Sequence, residues 1–277
     1  MNRTAGLSRE LLFLGVLLLF TTFIGYAIQL YLSSELDENT QDIDRISLAW
    51  EMRFKTAIKQ FIAADASLVE NDELNGVIAD LARRLRDHIK ADHPYEIEIL
   101  VVDSRMVNAM ALPGGLIILY VPLIRLTETP EELAAVMAHE LGHVIHRDPL
   151  RKMIRQMGIA ATLALLRGDS STLLENTIRN LLDLKYTRDQ ESAADDFALE
   201  TLVAAGIEPI HFAAIMEKLD PGRGGGKSKL VKYLSTHPHR GERVEKARWA
   251  SAQFASTGDD STIDWPRVKK LLPSVFD

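Results

Sequence analysis

The sequence contains no cysteine. That excludes disulfides, thiolate metal ligands and a cysteine nucleophile, and it leaves the compartment open, because cysteine-free chains suit oxidising and reducing spaces alike. An excess of basic residues is also missing: 32 Lys+Arg stand against 39 Asp+Glu, a formal net charge of −7. No basic stripe is interleaved with aromatics, so nucleic acid is excluded as a general partner. Internal repeats and a domain-scale linker are absent. The glycine-rich stretch from Pro221 to Lys229 has no Walker spacing and no preceding strand, so it reads as a flexible loop rather than a phosphate cradle. The chain of 277 residues has room for one anchored domain of ordinary size or two small ones.

One long apolar run is present. Leu11 to Leu32 carries no charge; the competing reading is a cleaved signal peptide, with Gly25-Tyr26-Ala27 as a small-x-small site, but the run exceeds the roughly 7–15 residues of a signal-peptide core. It is long enough to cross a bilayer as a helix, which takes about 20 residues. No cysteine follows it, so a lipoprotein anchor is excluded. Arg3 and Arg9 precede the run, while Glu35, Asp37, Glu38, Asp42 and Asp44 follow it. Positive charge stays on the cytoplasmic side. The expectation is a single-pass inner (plasma) membrane protein, attached through residues 11–32, with its N-terminus cytoplasmic and its body periplasmic or extracytoplasmic. The expected organisation is an anchor over 1–34, a helical linker over 35–68, a catalytic domain over 69–255 and a C-terminal tail over 256–277.

Beyond the linker, Leu74, Val77, Ile78, Leu81, Leu85 and Ile89 repeat at helical spacing, with Arg83, Arg84, Arg86 and Lys90 on the solvent side. Tyr95–Asp103 and Leu116–Val121 read as strands around a Pro-Gly-Gly turn, predicting a sheet of two or three strands. Thr129-Pro130-Glu131-Glu132 starts a helix, with threonine as cap and proline in the first turn. That helix is expected to end near Asp148-Pro149. Met157–Leu166 is apolar but too short to span a bilayer. A further helix is expected from Leu173 to about Ala205, stopped by Gly206, and another over Glu242–Phe254. The fold class this predicts is α+β, mainly helical, with a small β-sheet beside one central helix.

That central helix carries His139-Glu140-Leu141-Gly142-His143, an HExxH pattern. Residues four apart share one helix face, so two imidazoles can meet one metal ion, with Glu140 placed to act as a base. A catalytic zinc takes three protein ligands and keeps a fourth position open. His146 is rejected as the third: seven residues of helix rise roughly 10 Å from His139. His146 and Pro149 occupy the positions where a metzincin needs glycine and histidine, so that class is excluded. The better candidate is Glu191, in Arg188-Asp189-Gln190-Glu191-Ser192-Ala193-Ala194-Asp195. Glu191 and Asp195 are four apart: one can bind the metal while the other accepts a hydrogen bond from the far nitrogen of a ligating histidine, His139 being favoured. The small residues Ser192, Ala193 and Ala194 would let the two helices lie close.

HELGH followed by ExxAD resembles the gluzincin metallopeptidase family of HtpX, the type 1 CAAX prenyl protease and BepA. Asn108-Ala109-Met110-Ala111-Leu112-Pro113-Gly114-Gly115 looks like that family's segment before the catalytic helix. Arg188–Asp195 matches its RxxExxAD pattern. Ser235-Thr236-His237-Pro238 with Glu242-Arg243 is similar to its late histidine–proline and arginine motif. The resemblance covers roughly Leu74 to Ala250. It implies one zinc per chain on His139, His143 and Glu191, with Glu140 as base. It also implies His237 and Arg243 as stabilisers of the tetrahedral oxyanion, His237 having the alternative role of closing the fourth zinc position in a latent state. Asp148 departs from the histidine of many relatives, and the multi-span bundle of HtpX and the prenyl protease is missing, which favours the single-anchor branch.

The expected activity is a zinc endopeptidase acting on protein or peptide substrates, in quality control of membrane or envelope proteins. The competing expectation is a zinc-stabilised chaperone or binding module; an intact Glu140 favours the enzyme. The strand Leu116-Ile117-Ile118-Leu119-Tyr120 is expected to offer an edge for substrate β-addition, as in the family. Oligomeric state is not legible.

Overall fold

A computed structural model describes residues 48–65, 67–90, 93–167, 185–219, 233, 237, 240–255 and 262–274. The apolar run over 11–32 and the loop from Pro221 to Lys229 lie outside the described residues. No helix among the described residues is long and apolar enough to cross a membrane.

The described elements run α1 (Leu48–Asp65), β1 (Ser67–Leu68), α2 (Asp72–Arg86), β2 (Glu98–Asp103), β3 (Ala109–Leu112), β4 (Leu116–Tyr120), α3 (Val121–Leu126), α4 (Pro130–Ile145), α5 (Asp148–Arg167), α6 (Arg188–Ala204), α7 (Ile210–Lys218), α8 (Arg240–Ser251) and α9 (Trp265–Lys270). The fold is mainly helical beside a small mixed sheet.

The sheet has four strands in the order β1-β2-β4-β3, one more than the largest sheet expected. β4 runs parallel to β2 and antiparallel to β3. It is therefore an interior strand, and all five of its residues are buried. This corrects the expected substrate edge at Leu116, Ile117, Ile118, Leu119 and Tyr120: their backbone groups are already committed to neighbouring strands. Among the described residues the edge strands are β1 and β3, and the outer side of β3, the short Ala109–Leu112 segment, faces α4. The β3–β4 turn needs Gly114 and Gly115, both at φ 81. A Cβ on Gly114 would sit 2.7 Å from the Glu51 carbonyl oxygen and 2.9 Å from Lys55 Cβ. α1 thus closes on the hairpin and belongs to the folded body.

α4 is the centre of the molecule. From Leu133 to Val144 every residue is buried, against α2, α6, α7 and the sheet. A helix buried all round is a core helix. Its start matches expectation: Thr129 Oγ1 accepts from the Glu132 backbone N–H at 3.2 Å, and the Glu132 carboxylate accepts from the Glu128 N–H at 2.7 Å. It ends at Ile145, three residues earlier than Asp148. Pro149 falls in the first turn of α5, where its missing N–H leaves no helical bond unmade.

One helix starts later than expected, and another, α5, lies where the sequence reads only as an apolar stretch. α6 begins at Arg188, not Leu173, because Thr187 is extended and closes a capping box with Gln190; 173–184 lie outside the described residues. α5 is broken at Gly158, which has φ 79. On α2, Leu74, Ile78, Leu81 and Leu85 are buried as the spacing predicts. Arg84, however, turns inward and donates from Nε to the Ala205 carbonyl at 3.0 Å. α9 lies in the tail: Trp265 is buried and its indole donates to the Thr127 carbonyl at 3.3 Å.

The approach of α6 to α4 rests on Gly142. A Cβ there would lie 3.0 Å from Ala194 Cα and 3.1 Å from the Ala194 carbonyl oxygen. Of the three small residues expected to allow this, only Ala194 faces α4; Ser192 and Ala193 are exposed. Gly142→Ala gains about 1 kcal/mol of helix propensity but must force two backbones apart, an overpacking cost of about 1–3 kcal/mol. Denaturant unfolding is expected to show a net loss of stability. A more stable variant would show that the two helices can separate freely.

Candidate metal centre

Three elements bring the polar groups together. α4 supplies His139, Glu140 and His143; α6 supplies Glu191 and Asp195; the C-terminal part of the chain supplies His237 and Arg243. All seven are buried. Buried ionisable groups are stable only when paired or bound to a cation.

His139, His143, Glu191 and His237 each point one donor atom inward, and these four atoms lie within 4.8 Å of one another. His139 Nε2 is 3.1 Å from His143 Nε2 and 3.2 Å from His237 Nδ1. Glu191 Oε1 is 2.8 Å from His237 Nδ1 and 3.5 Å from His143 Nε2, and its Oε2 is 3.7 Å from His139 Nε2. Donors held at about 2.0–2.2 Å from a zinc ion at tetrahedral angles stand about 3.3–3.6 Å apart. The cluster therefore fits a zinc ion in size and in chemistry, with three imidazoles and a carboxylate. Two buried oxygens beside it, Glu140 Oε1 and Glu191 Oε2, accept no hydrogen bond. Glu191 Oε2 faces Arg243 Nη1 at 3.0 Å.

Each histidine on α4 has a carboxylate behind it. His139 Nδ1 lies 2.9 Å from Asp195 Oδ1. His143 Nδ1 donates to Asp148 Oδ2 at 2.8 Å, and Gln190 Nε2 holds the other Asp148 oxygen at 3.0 Å. Such partners fix the tautomer and leave Nε2 as the inward donor. Arg243 grips Asp195 through two nitrogens, at 2.8 and 2.7 Å. Glu140 Oε2 accepts from the Ala111 backbone N–H at 2.8 Å, so the base candidate is tied to the outer edge of β3. Its Oε1 is 3.6 Å from His237 Nε2.

Burial and the nearby Arg243 charge press the His139 pKa down to about 4, so it is a neutral donor at pH 7. Burial pulls His143 the same way, but Asp148 and Glu191 lift it to about 9. A cation at the cluster would take the place of that proton. Burial opposes ionisation of Glu191, yet His237 and His143 hold it well below the usual carboxylate range.

Asp148 stood out in the sequence only as a departure from the family pattern, with no site role given to it, and Gln190, Tyr186 and Lys152 were not singled out. Tyr186 stacks on His143 with ring centroids 3.8 Å apart, and Lys152 Nζ sits 3.8 Å over the Tyr186 ring. Asp148 carried a signal, as an acidic residue one turn past His143. Tyr186 and Lys152 carried none. His146, set aside as a ligand, packs edge-on against Phe197 at 5.9 Å.

Metal analysis of purified protein is expected to find about one zinc per chain. His139→Ala, His143→Ala and Glu191→Ala should each lose most of it. Asp148→Asn and Asp195→Asn should weaken affinity by about 10–100-fold without abolishing binding. Full zinc retention by Glu191→Ala would remove it from the ligand set.

Comparison with known proteins is consistent with this geometry. A model of peptidase family M48 matches residues 68–250. The mitochondrial metalloendopeptidase OMA1 of Arabidopsis thaliana is 35% identical over 142 residues, 51% of this chain and 29% of that protein. The beta-barrel assembly-enhancing protease of Escherichia coli K12 is 26% identical over 248 residues, 84% of this chain and 50% of the relative. Metalloprotease YcaL of the same organism is 28% identical over 178 residues, 62% of this chain and 67% of its own length. The chain spans half or less of the length of the first two. With the family match covering most of its length, the chain belongs to peptidase family M48, a family of zinc metallopeptidases.

Proposed function

We propose that this chain is a membrane-anchored zinc endopeptidase that cleaves membrane or envelope proteins as part of their quality control. The observation that carries the catalytic part is the meeting of His139, His143 and Glu191 beside a buried Glu140 with one oxygen unpartnered. His139, His143 and Glu191 would hold the ion. When bound, zinc supplies Lewis acidity, which acidifies water to a pKa of about 7 and polarises a carbonyl.

The protein groups do the rest. Glu140 takes a proton from the attacking water and passes it to the leaving amine. Its hydrogen bond to Ala111 holds the carboxylate at the rim of the sheet. An extended substrate would add to the outer edge of β3, next to the Ala111 N–H that Glu140 holds, rather than to the interior strand β4. Pairing through backbone tolerates many side chains, which suits a quality-control role. Asp195 orients His139, and Arg243 acts through Asp195 and Glu191: its side chain is committed to both, which favours a positioning role over direct contact with an oxyanion.

His237 has two roles open to it, and one observation favours the latch. Its Nδ1 sits among the donor atoms, 3.2 Å from His139 Nε2, where the fourth ligand of a closed site belongs. With His237 as the fourth ligand, a bound ion would have no position open to substrate, and His237 would have to leave before cleavage. The name of the beta-barrel assembly-enhancing protease supports an envelope substrate class for this chain by analogy alone. The anchor and domain layout rest on the charge asymmetry around residues 11–32 and on the family match over 68–250.

Glu140→Gln keeps the shape and the ligands, so zinc content and fold should persist. Peptide cleavage should fall by at least about 10²–10⁴, the share of general-base catalysis. Cleavage at the wild-type rate would end the hydrolase reading. His237→Ala should retain zinc and cleave faster than wild type; slower turnover at unchanged KM would return it to a transition-state role. For topology, a reporter active only outside the cytoplasm, fused after Asp277, should be active. Activity of a cytoplasm-only reporter there would reverse the orientation.

A further inference from the structure

Glu51 lies on α1, before the residues 68–250 that the family model covers. It is 1% exposed. Its carboxylate accepts from the Tyr95 hydroxyl, 3.2 Å from each oxygen, and from Arg147 Nη2 at 2.5 Å. A buried carboxylate so placed needs its cation: removing one partner of a buried pair leaves the other uncompensated.

Arg147 is not an ordinary partner. It has φ 55, the one non-glycine residue of positive φ among the described residues. That conformation is uncommon for a long side chain and persists where the surroundings over-determine it. Arg147 falls between His146, which caps α4, and Asp148, which opens α5. The left-handed turn brings Asp148 back over α4, where its Oδ2 meets His143 Nδ1 at 2.8 Å. One connected path therefore runs from Glu51 through the Arg147 side chain and turn to Asp148 and His143.

α1 has the rigidity to act as the fixed end of that path. Lys55, one turn beyond Glu51, donates to the Glu96 carbonyl at 2.9 Å and pairs with Glu98 at 3.3 Å. Gly114 admits the α1 backbone in direct contact. These contacts anchor α1 on the sheet without touching the Arg147 turn.

We propose that Glu51 is a positioning residue for the metal centre: its buried ion pair with Arg147 fixes the turn that aims Asp148 at His143, so metal affinity depends on the helix that precedes the family's peptidase segment. The proposal rests on His143 being a zinc ligand.

The test is zinc affinity of the full chain, measured by competition with a chromogenic chelator, alongside the melting temperature of the zinc-free protein. Glu51→Gln should weaken zinc affinity by about 10-fold or more, within the range that loss of a partner behind a ligand costs. Arg147→Gln should do the same. The double variant should be no weaker than the worse single, because both cut one path. Lys55→Met supplies the control: it loosens α1, so it should lower the melting temperature and leave zinc affinity unchanged. Wild-type affinity in Glu51→Gln would overturn the proposal. So would an equal loss in Lys55→Met, since general loosening would then explain the effect. If Glu51→Gln does not fold, Glu51→Asp, which keeps the charge and withdraws it by one methylene, is read by the same criteria. His143→Ala separates the two levels of inference: retained zinc there would sink the metal-centre reading itself, whereas lost zinc with an unaffected Glu51→Gln would sink only the role of Glu51.

Discussion

Buried charge is the constraint on which this structure depends. Glu140, Glu191 and Asp195, with Asp148 close by, are all removed from solvent alongside His139, His143, His237 and Arg243. Each unpaired ion in such a place costs several kcal/mol. The arrangement answers that cost residue by residue. Asp195 and Asp148 take the outward nitrogens of two imidazoles, Arg243 clamps Asp195 and Glu191, and Ala111 donates to Glu140. What is left, four inward donor atoms within 4.8 Å, has the composition and spacing of a zinc site.

The same constraint explains why α4 is central. A helix with polar groups on one face and Leu133, Val136, Met137, Leu141 and Val144 on the others is costly to bury all round unless its polar side chains are held by partners. Gly142 lets α6 come close enough for Glu191 to reach the α4 histidines. The sheet contributes through its edge rather than its middle: β3 both bounds the site and holds Glu140 through Ala111. Stability and chemistry here draw on the same contacts.

The support for the centre reaches past the segment that resembles other peptidases. α1 packs on the β3–β4 hairpin through Gly114 and on the α4–α5 turn through Arg147. The tail behaves in a similar way, with Trp265 and Lys269 both donating to the Thr127 carbonyl just before α4. Elements that sequence reading treats as linker and coda hold the two ends of the catalytic helix.

Several features were decided by local chemistry and so were legible in the chain. HExxH places two imidazoles and a carboxylate by helical period alone. The Thr129 cap, the Pro-Gly-Gly turn and the apolar stripe of α2 follow from short-range rules, and the pairing of Glu191 with Asp195 follows from a four-residue spacing. The tertiary structure decided the rest, because it depended on contacts between distant residues. Strand order made β4 interior and β3 an edge, and periodicity cannot rank strands within a sheet. Packing chose Ala194 over Ser192 and Ala193 as the close contact. Asp148 became the partner of His143 only through the left-handed turn at Arg147, which no residue preference predicts. His237 entered the donor cluster from far along the chain. Residue type and local spacing say which side chains can bind a metal; which of them meet depends on how α4, α6 and the C-terminal segment pack.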